Sequence, residues 1–338
     1  MSGVSKIEWC DATFNPWWGC ERVSPACAHC YADTWAKRVG MGDLWPRGKT
    51  SEHGFRFFGD KHWAEPLKWA RTLPAKLGRR PRVFCASMAD VFEELPHLDE
   101  HRLRLMMLIE RTPELDWLLL TKRPEFARDW LTRWYGAVDR GNFPPGTRAE
   151  RPCRNVWVGV SIENARYTWR ADVLREIPAA VRFISAEPLL GSVFAWEPRR
   201  PATAALIGAS AAARLQRERA ALDLTGIDWV IIGGESGPGA RPFHLEHARE
   251  LIEQVYSHRA HEHRGYGSPA IFVKQLGARP LGAAFVAGDP LTLTGDHTPL
   301  QLRDRKGGDW DEWPTDLRIR EYPASAALRA SDELMETA

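Results

Sequence analysis

Three cysteines, Cys20, Cys27 and Cys30, fall within eleven residues of the stretch WWGCERVSPACAHCY (17–31), in a C-x6-C-x2-C spacing. Core packing does not need soft ligands clustered this tightly, whereas thiolates at this spacing suit one metal centre. Three of them leave a four-ligand site one ligand short. A structural zinc site usually closes with four protein ligands, and a catalytic one keeps a position open. A [4Fe–4S] cluster is normally held by four cysteine thiolates, so three leave one iron free to bind a substrate or cofactor. That is the leading reading of the spacing. A zinc site closed by Cys10 or His29 as fourth ligand is the alternative. Cys85 and Cys153 lie in or beside apolar runs and read as small core residues.

Other chemistry-bearing residues stand where short apolar runs end. RVFCASMAD (82–90) turns polar at Ser87 and Asp90, and DWLLLTKRP (116–124) ends in Thr121, Lys122 and Arg123. NVWVGVSIEN (155–164) ends in Ser161, Glu163 and Asn164, and VRFISAEPLLG (181–191) ends in Ser185 and Glu187. DWVIIGGESGPGARP (228–242) ends in Gly233, Gly234 and Glu235, and AIFVKQLG (270–277) in Lys274 and Gln275. Lys122 and Arg123 are cations suited to a carboxylate or phosphate, or else to a surface ion pair. Glu187 reads as a substrate ligand or as a structural partner of Lys122 or Arg123, and Lys274 as a substrate contact. The glycines of Gly233-Gly234-Glu235 let backbone approach a ligand while Glu235 accepts from an ammonium; the plainer alternative is a turn needed only for chain reversal. There is no Ser-His-Asp or H-E-x-x-H arrangement, and GESGPG lacks the Lys-Ser/Thr ending of a P-loop.

The elements that must position these groups follow from the same runs. Near-continuous apolar runs mean strands buried on both faces, hence a parallel sheet covered by helices. Helix-capable stretches follow most of them, among them YADTWAKRV after the cysteines, 99–111 and 244–257. With a short first strand in IEWCDATFNPWWG (7–19), the rhythm amounts to seven βα units. The expectation is an α/β fold: a complete or partial (β/α) barrel of about six to eight parallel strands, with polar strand ends on its catalytic rim. The barrel would occupy 1–290. Insertions fall at about 40–80, with one short helix around Pro66–Arg71, and at 195–226, an Ala/Arg-rich surface helix. Residues 291–338 form a C-terminal extension in which KGGDWDEWP (306–314) is a turn.

The 338-residue chain is 44% hydrophobic and 27% charged, enough for a sizeable core. It has no apolar run of membrane-spanning length and no signal-like start, so no membrane is expected and the cytoplasm is the expected compartment. Six cysteines in a chain this long are not a disulfide scaffold. Sixteen tryptophans fill a core and wall a cavity, with base stacking on a few as the lesser option. The net charge of +2 neither demands nor excludes nucleic acid.

The three-cysteine loop after a first strand, followed by βα units, resembles the radical S-adenosylmethionine enzymes. Their commonest spacing is C-x3-C-x2-C with an aromatic residue before the third cysteine; here the first gap is longer and His29 takes that place, with Tyr31 directly after Cys30. The whole chain more closely resembles a phage- and prophage-associated family of three-Cys-motif proteins, through TFNPWWGCERVSPACAHCYA, ASMADVF, LLTKRP, GVSIEN, ISAEPLLG, GGESGPGARP and KGGDWDEWPTDLR. The radical S-adenosylmethionine resemblance implies that Cys20, Cys27 and Cys30 bind three irons of a [4Fe–4S] cluster whose fourth iron is chelated by S-adenosylmethionine. Reduction by an external electron donor, and so a partner protein, then yields a 5′-deoxyadenosyl radical that abstracts hydrogen from a substrate. Such a cluster sits at the low end of a range of roughly −700 to +450 mV, behind a water-excluding wall for which Trp17, Trp18 and Tyr31 are suited. The resemblance further implies cofactor contacts from Ser87 and Asp90 after the second strand, and from Ser161 and Glu163 to ribose hydroxyls after the fourth. Gly233, Gly234 and Glu235 match the Gly-Gly-Glu motif that holds the cofactor's amino group, although that motif ordinarily follows the second strand and here follows the sixth. Phage association and the Trp/Arg-rich 40–80 excursion point to a nucleobase, nucleotide or nucleic acid as substrate. The rival classes are a zinc-dependent hydrolase on the same barrel and a non-catalytic nucleic-acid-binding module stapled by a structural metal.

Overall fold

The computed structural model describes residues 3–41, 44–45, 54–139, 154–194, 222–261, 269–282 and 298–323. Cys153, residues 195–221 of the insertion expected at 195–226, the barrel boundary expected at 290 and the extension beyond 323 lie outside the described residues. So do 42–43 and 46–53 of the early excursion.

Seven of the apolar runs become strands of one sheet: Ala12–Thr13 (β1), Arg82–Cys85 (β2), Asp116–Thr121 (β3), Val156–Ser161 (β4), Val181–Ala186 (β5), Trp229–Gly233 (β6) and Ala270–Gln275 (β7). They run parallel and are hydrogen-bonded in chain order, with an antiparallel pair, Gly3–Val4, beside β1. The register aligns Val83 with Ala12 and Trp117, Leu118 with Trp157, and Ile231 with Phe272. Strand order that follows the chain without a reversal point is the singly wound order of a partial (β/α) barrel; a doubly wound sheet reverses direction at its switch point. The strands are apolar because both faces are covered: every residue of β4 and of β6 is buried. A Cβ at Gly159 would run into the Phe183 ring, so the glycine makes room for that aromatic side chain.

The helices are Tyr31–Arg38 (α1), Glu65–Leu77 (α2), Asp99–Glu110 (α3), Pro124–Asp139 (α4), Trp169–Glu176 (α5) and Leu245–His261 (α6). One helix and one strand depart from expectation. The short helix expected around Pro66–Arg71 spans Glu65–Leu77, running through Pro74 and stopping at Gly78 in the left-handed region (φ +65°). Pro74 sits in the last turn, where its missing N–H removes one hydrogen bond and does not break the helix. The first strand is also shorter than expected. Asn15-Pro16 interrupts it, and Trp17–Trp18 pairs separately and antiparallel with Arg56–Phe57.

The chain divides into two compact units, residues 1–160, 173–183 and 323–338 in one, 161–172 and 184–322 in the other. The core of the first is built on Phe14, Trp17, Phe92, Trp117 and Trp157, each essentially without solvent exposure. That of the second is built on Trp229, Phe243, Phe272 and Trp313. In the second unit the chain near its end lies along β7, Phe272 bridging Arg320 and Glu321 N–H donating to Ile271 O at 2.7 Å, which covers that strand's free edge.

Candidate functional site

In the first unit the cysteine loop is built from backbone outward. Asn15 is completely buried and holds two segments together: Met88 N–H donates to its Oδ1 at 2.7 Å, and its Nδ2 donates to Ser87 Oγ at 3.1 Å. Gly19 follows with φ +117°, and its N–H donates to Met88 O at 3.0 Å. A Cβ there would strike Gly54 O, so this position takes only glycine. Cys20 N–H reaches Leu44 O at 3.3 Å. The chain then makes a 3₁₀ turn, Pro25–His29, whose proline suits the first turn, and Cys30 occupies the N-cap position of α1. Asp33, buried in the first turn of α1, accepts from Lys37 at 2.9 Å and from Arg22, which ties the long first gap to the helix. The Tyr31 ring is exposed, but its hydroxyl donates to Ser87 O at 2.6 Å.

Cys20 and Cys30 pack against one apolar cluster of Trp18, Ala32, Ala36, Leu44, Trp45 and Met88. Burial pushes the Cys20 thiol up, against the pull of the Arg123 guanidinium. Burial also pushes the Cys30 thiol up, against the N–H groups of Asp33 and Ala32 and the nearby Lys122, while neighbouring Cys27 adds to the rise. Desolvated thiols of this kind become thiolates when a bound cation compensates their charge. Cys10 is drawn elsewhere, its thiol donating to Ser5 Oγ at 3.3 Å, and His29 is exposed. Among the described residues no three His, Cys, Asp or Glu side chains stand as a preassembled metal cage.

The groups from the next two strand ends meet this loop. Asp90, after β2, is buried and accepts from Phe92 N–H (3.0 Å), Thr121 Oγ1 (2.8 Å), Lys122 N–H (3.1 Å) and Arg123 Nη1 (3.0 Å). Burial alone would raise its pKa, but Arg123 and these donors outweigh that and hold it below the usual carboxylate range. Its acceptor capacity is filled by protein, so Asp90 serves as an anchor here and its oxygens are committed to that task. Arg123 also donates to Glu21 O at 2.9 Å and lies 3.7 Å from Cys20 Sγ. Lys122 is half-buried near Cys30 and has no ion pair among the described residues.

In the second unit Ser161 and Glu163 are buried with Arg170, whose Nη1 donates to Glu163 Oε2 at 2.8 Å and to Ser161 O at 2.7 Å. Arg170 also stacks over Tyr167 at 4.4 Å. Ser161 Oγ, Glu163 Oε1 and Arg170 Nε are buried without hydrogen-bond partners in the protein. Glu187, read from the sequence as a substrate ligand or as a partner of Lys122 or Arg123, forms an ion pair with Lys274. Gly233 lies where a Cβ would come 3.3 Å from Glu187 Cγ, and Gly234 packs on the backbone of Leu276. Glu235 is gripped by Arg241 through the backbone N–H at 2.9 Å and the guanidinium, so an incoming ammonium would compete with an arginine. The KGGDWDEWP segment props the end of β7: Leu276 N–H and the Trp313 indole both donate to Gly307 O, at 2.9 and 3.0 Å.

The sequence pattern assigns no role to Asn15, Glu93, Arg170 or Arg241. Asn15 carried a signal in the Asn-Pro break, whereas the others act through contacts that no local spacing announces. The fold and the site define a mixed α/β protein with a singly wound parallel sheet and a three-thiol loop after its first strand. The chain belongs to a family described as "protein of unknown function (DUF5131)", whose model matches residues 4–278. No curated protein and no solved structure matches it. No described helix is long and apolar enough to cross a membrane.

Proposed function

We propose that this protein is a radical S-adenosylmethionine-type enzyme, with Cys20, Cys27 and Cys30 holding three irons of a [4Fe–4S] cluster. The observation that carries this reading is the loop itself: three thiols between a strand end and a helix N-terminus, with N–H donors at Cys30 and the Arg123 guanidinium at Cys20. The donor set fits the group, because soft thiolates are the usual ligands of such clusters and two of these half-buried cysteines pack against an apolar cluster that includes Trp18 and Trp45. When bound, the cluster would supply the low-potential electron that cleaves S-adenosylmethionine and starts hydrogen abstraction from the substrate.

The chain's own part is binding and exclusion. Trp18 stacks edge-on against Trp35 at 5.0 Å and Phe58 at 5.3 Å, an aromatic wall beside Cys20 and Cys30 suited to limiting water at a bound group. Lys122, half-buried and without an ion pair among the described residues, is the cation suited to a ligand carboxylate. Tyr31 fixes the Ser87 backbone, and Asn15 fixes the Ser87 side chain. Ser161 Oγ and Glu163 Oε1 are acceptors suited to hydroxyl groups of the cofactor. The proposed substrate is a nucleobase, nucleotide or nucleic acid, in keeping with a phage-associated role. Within the early excursion Arg56 stacks over Trp18 at 4.7 Å. A cytoplasmic electron-donor protein completes the proposed cycle.

Anaerobic purification with iron, sulfide and zinc analysis tests the reading, with a Cys20/Cys27/Cys30→Ala triple variant and an assay for 5′-deoxyadenosine after adding S-adenosylmethionine and dithionite. Four irons lost in the variant, with deoxyadenosine formed by the wild type, are expected. Stoichiometric zinc with no iron uptake on reconstitution would sink it.

A further inference from the structure

We infer that Arg123 is a positioning residue for Cys20, and that its N–H donation toward the Cys20 sulfur sets the reduction potential of the metal centre. The second half rests on the iron–sulfur reading above; the first does not. The residue directly after Cys20 is held by both of its peptide groups. Glu21 N–H donates to Glu93 Oε1 at 2.9 Å, and Glu21 O accepts from Arg123 Nη2 at 2.9 Å. The two side chains that grip it come from different strand ends, Glu93 after β2 and Arg123 after β3, and approach each other to 3.8 Å. Arg123 Nη1 lies 3.0 Å from Asp90 Oδ2 and 3.7 Å from Cys20 Sγ.

The support beneath is rigid. Asp90 takes four protein donors, so the guanidinium is oriented by a carboxylate that cannot itself turn away. The Glu93 segment is pinned in turn by the buried Arg102, whose Nε donates to Val91 O at 2.8 Å and whose Nη2 reaches Glu93 O. Cys30 needs no such device, because α1 presents its N-terminus to it. The six residues between Cys20 and Cys27 thus have a physical use: the gap carries Glu21, fastened to Arg123 and Glu93, and Arg22, fastened to Asp33. Outer-shell partners orient metal ligands, and hydrogen bonds and charge near a cluster's sulfurs raise its potential. An arginine beside one of three ligands does both.

The test uses full-length wild type, Arg123→Met, Arg123→Lys and Asp90→Asn, each reconstituted anaerobically with iron and sulfide. Midpoint potential is read by a redox titration followed by electron paramagnetic resonance. Hydrogen exchange of the peptide spanning residues 20–23 is read on the metal-free chains. Arg123→Met is expected to shift the midpoint to more negative potential at equal iron content. Arg123→Lys, which keeps charge but loses the planar fork, should recover part of that shift. Faster exchange around Glu21 is expected in Arg123→Met and Asp90→Asn. A wild-type midpoint in Arg123→Met at full iron content overturns the tuning, as does a loss of iron with no shift in the cluster that remains. Unchanged exchange overturns the positioning. A wild type that takes up no iron overturns the iron–sulfur reading and the tuning together, and the exchange measurement still decides the positioning. Should Arg123→Met fail to fold, Arg123→Lys and Asp90→Asn carry the same two measurements.

Discussion

Gly19→Ala isolates how tightly the cysteine loop is built. Gly19 has φ +117°, outside the left-handed well that other residues occasionally enter, which costs an L-residue about 1–3 kcal/mol. Its added methyl would also meet Gly54 O and lie 3.1 Å from Leu44 O, both backbone atoms that cannot rotate aside. Overpacking of that kind adds about 1–3 kcal/mol. The total is roughly 2–6 kcal/mol. Gly78→Ala is the control, because Gly78 has φ +65° but open space where its Cβ would stand; the left-handed cost alone is about 1–2 kcal/mol. With a urea m-value of about 2 kcal/mol/M, the unfolding midpoint should fall by about 1–3 M for Gly19→Ala and by about 0.5–1 M for Gly78→Ala. Tryptophan fluorescence and far-ultraviolet circular dichroism follow the transition. Because the Gly19 N–H bond to Met88 O and the Cys20 N–H bond to Leu44 O flank the strained residue, alkylation of Cys20 by iodoacetamide should also accelerate in Gly19→Ala and stay unchanged in Gly78→Ala. Equal midpoints for the two variants would refute the argument from close approach.

Two further perturbations probe the scaffold. Glu163→Ala strands the buried Arg170 without its carboxylate, a loss of about 3–5 kcal/mol, measurable by urea unfolding; a double variant Glu163→Leu/Arg170→Met should recover most of it, and a single-variant cost under about 1 kcal/mol would show that the pair is not acting as a buried ion pair. Asp11 is opposed by burial, but the Arg79 guanidinium, the Arg82 N–H and the charges of both arginines win and hold its pKa below 3.8. A depressed carboxylate contributes stability above its unfolded value, lost as pH falls through the folded one. Asp11→Asn should therefore destabilise the protein at pH 7, and the difference from wild type should shrink progressively below about pH 4; a difference that is the same at pH 7 and pH 3 would contradict that assignment.

What the sequence reveals about this fold is what local pattern can encode. Val156–Ser161 and Trp229–Gly233 are apolar at every step because both faces are covered, so their strand character is visible without any partner. The placement of three thiols between a strand end and a helix is equally local. The brackets that hold the loop are not. Asn15 reaches Met88 and Glu21 reaches Glu93 across more than seventy residues, and no spacing rule joins them. Trp17–Trp18 read as one strand with Ala12–Thr13 because its true partner, Arg56–Phe57, sits in a stretch dominated by Gly, Pro and basic residues. Two residues pairing alone leave almost no periodicity to detect.

A polar residue at a strand end is a weak guide to chemistry until its hydrogen bonds are counted. Asp90 and Glu235 stand at the expected places after β2 and β6, yet one is filled by four donors and the other by Arg241. A ligand that recruits either must displace bonds already made inside the protein. Ser161 Oγ and Glu163 Oε1 are in the opposite condition, buried with no protein partner. An unmet buried polar atom costs about 1–3 kcal/mol, so a hydroxyl-bearing ligand that reaches these two atoms recovers free energy that the fold has already spent. By that criterion, on the proposed reading, Ser161 and Glu163 rather than Asp90 would supply binding strength. If the protein binds S-adenosylmethionine as proposed, Glu163→Gln, which keeps shape and one acceptor oxygen, should weaken that binding by roughly tenfold, about 1.4 kcal/mol, in equilibrium dialysis. Glu235→Gln, in a carboxylate already claimed by Arg241, should change it less, and the reverse order would favour the Gly-Gly-Glu segment over Glu163 as the proposed cofactor contact.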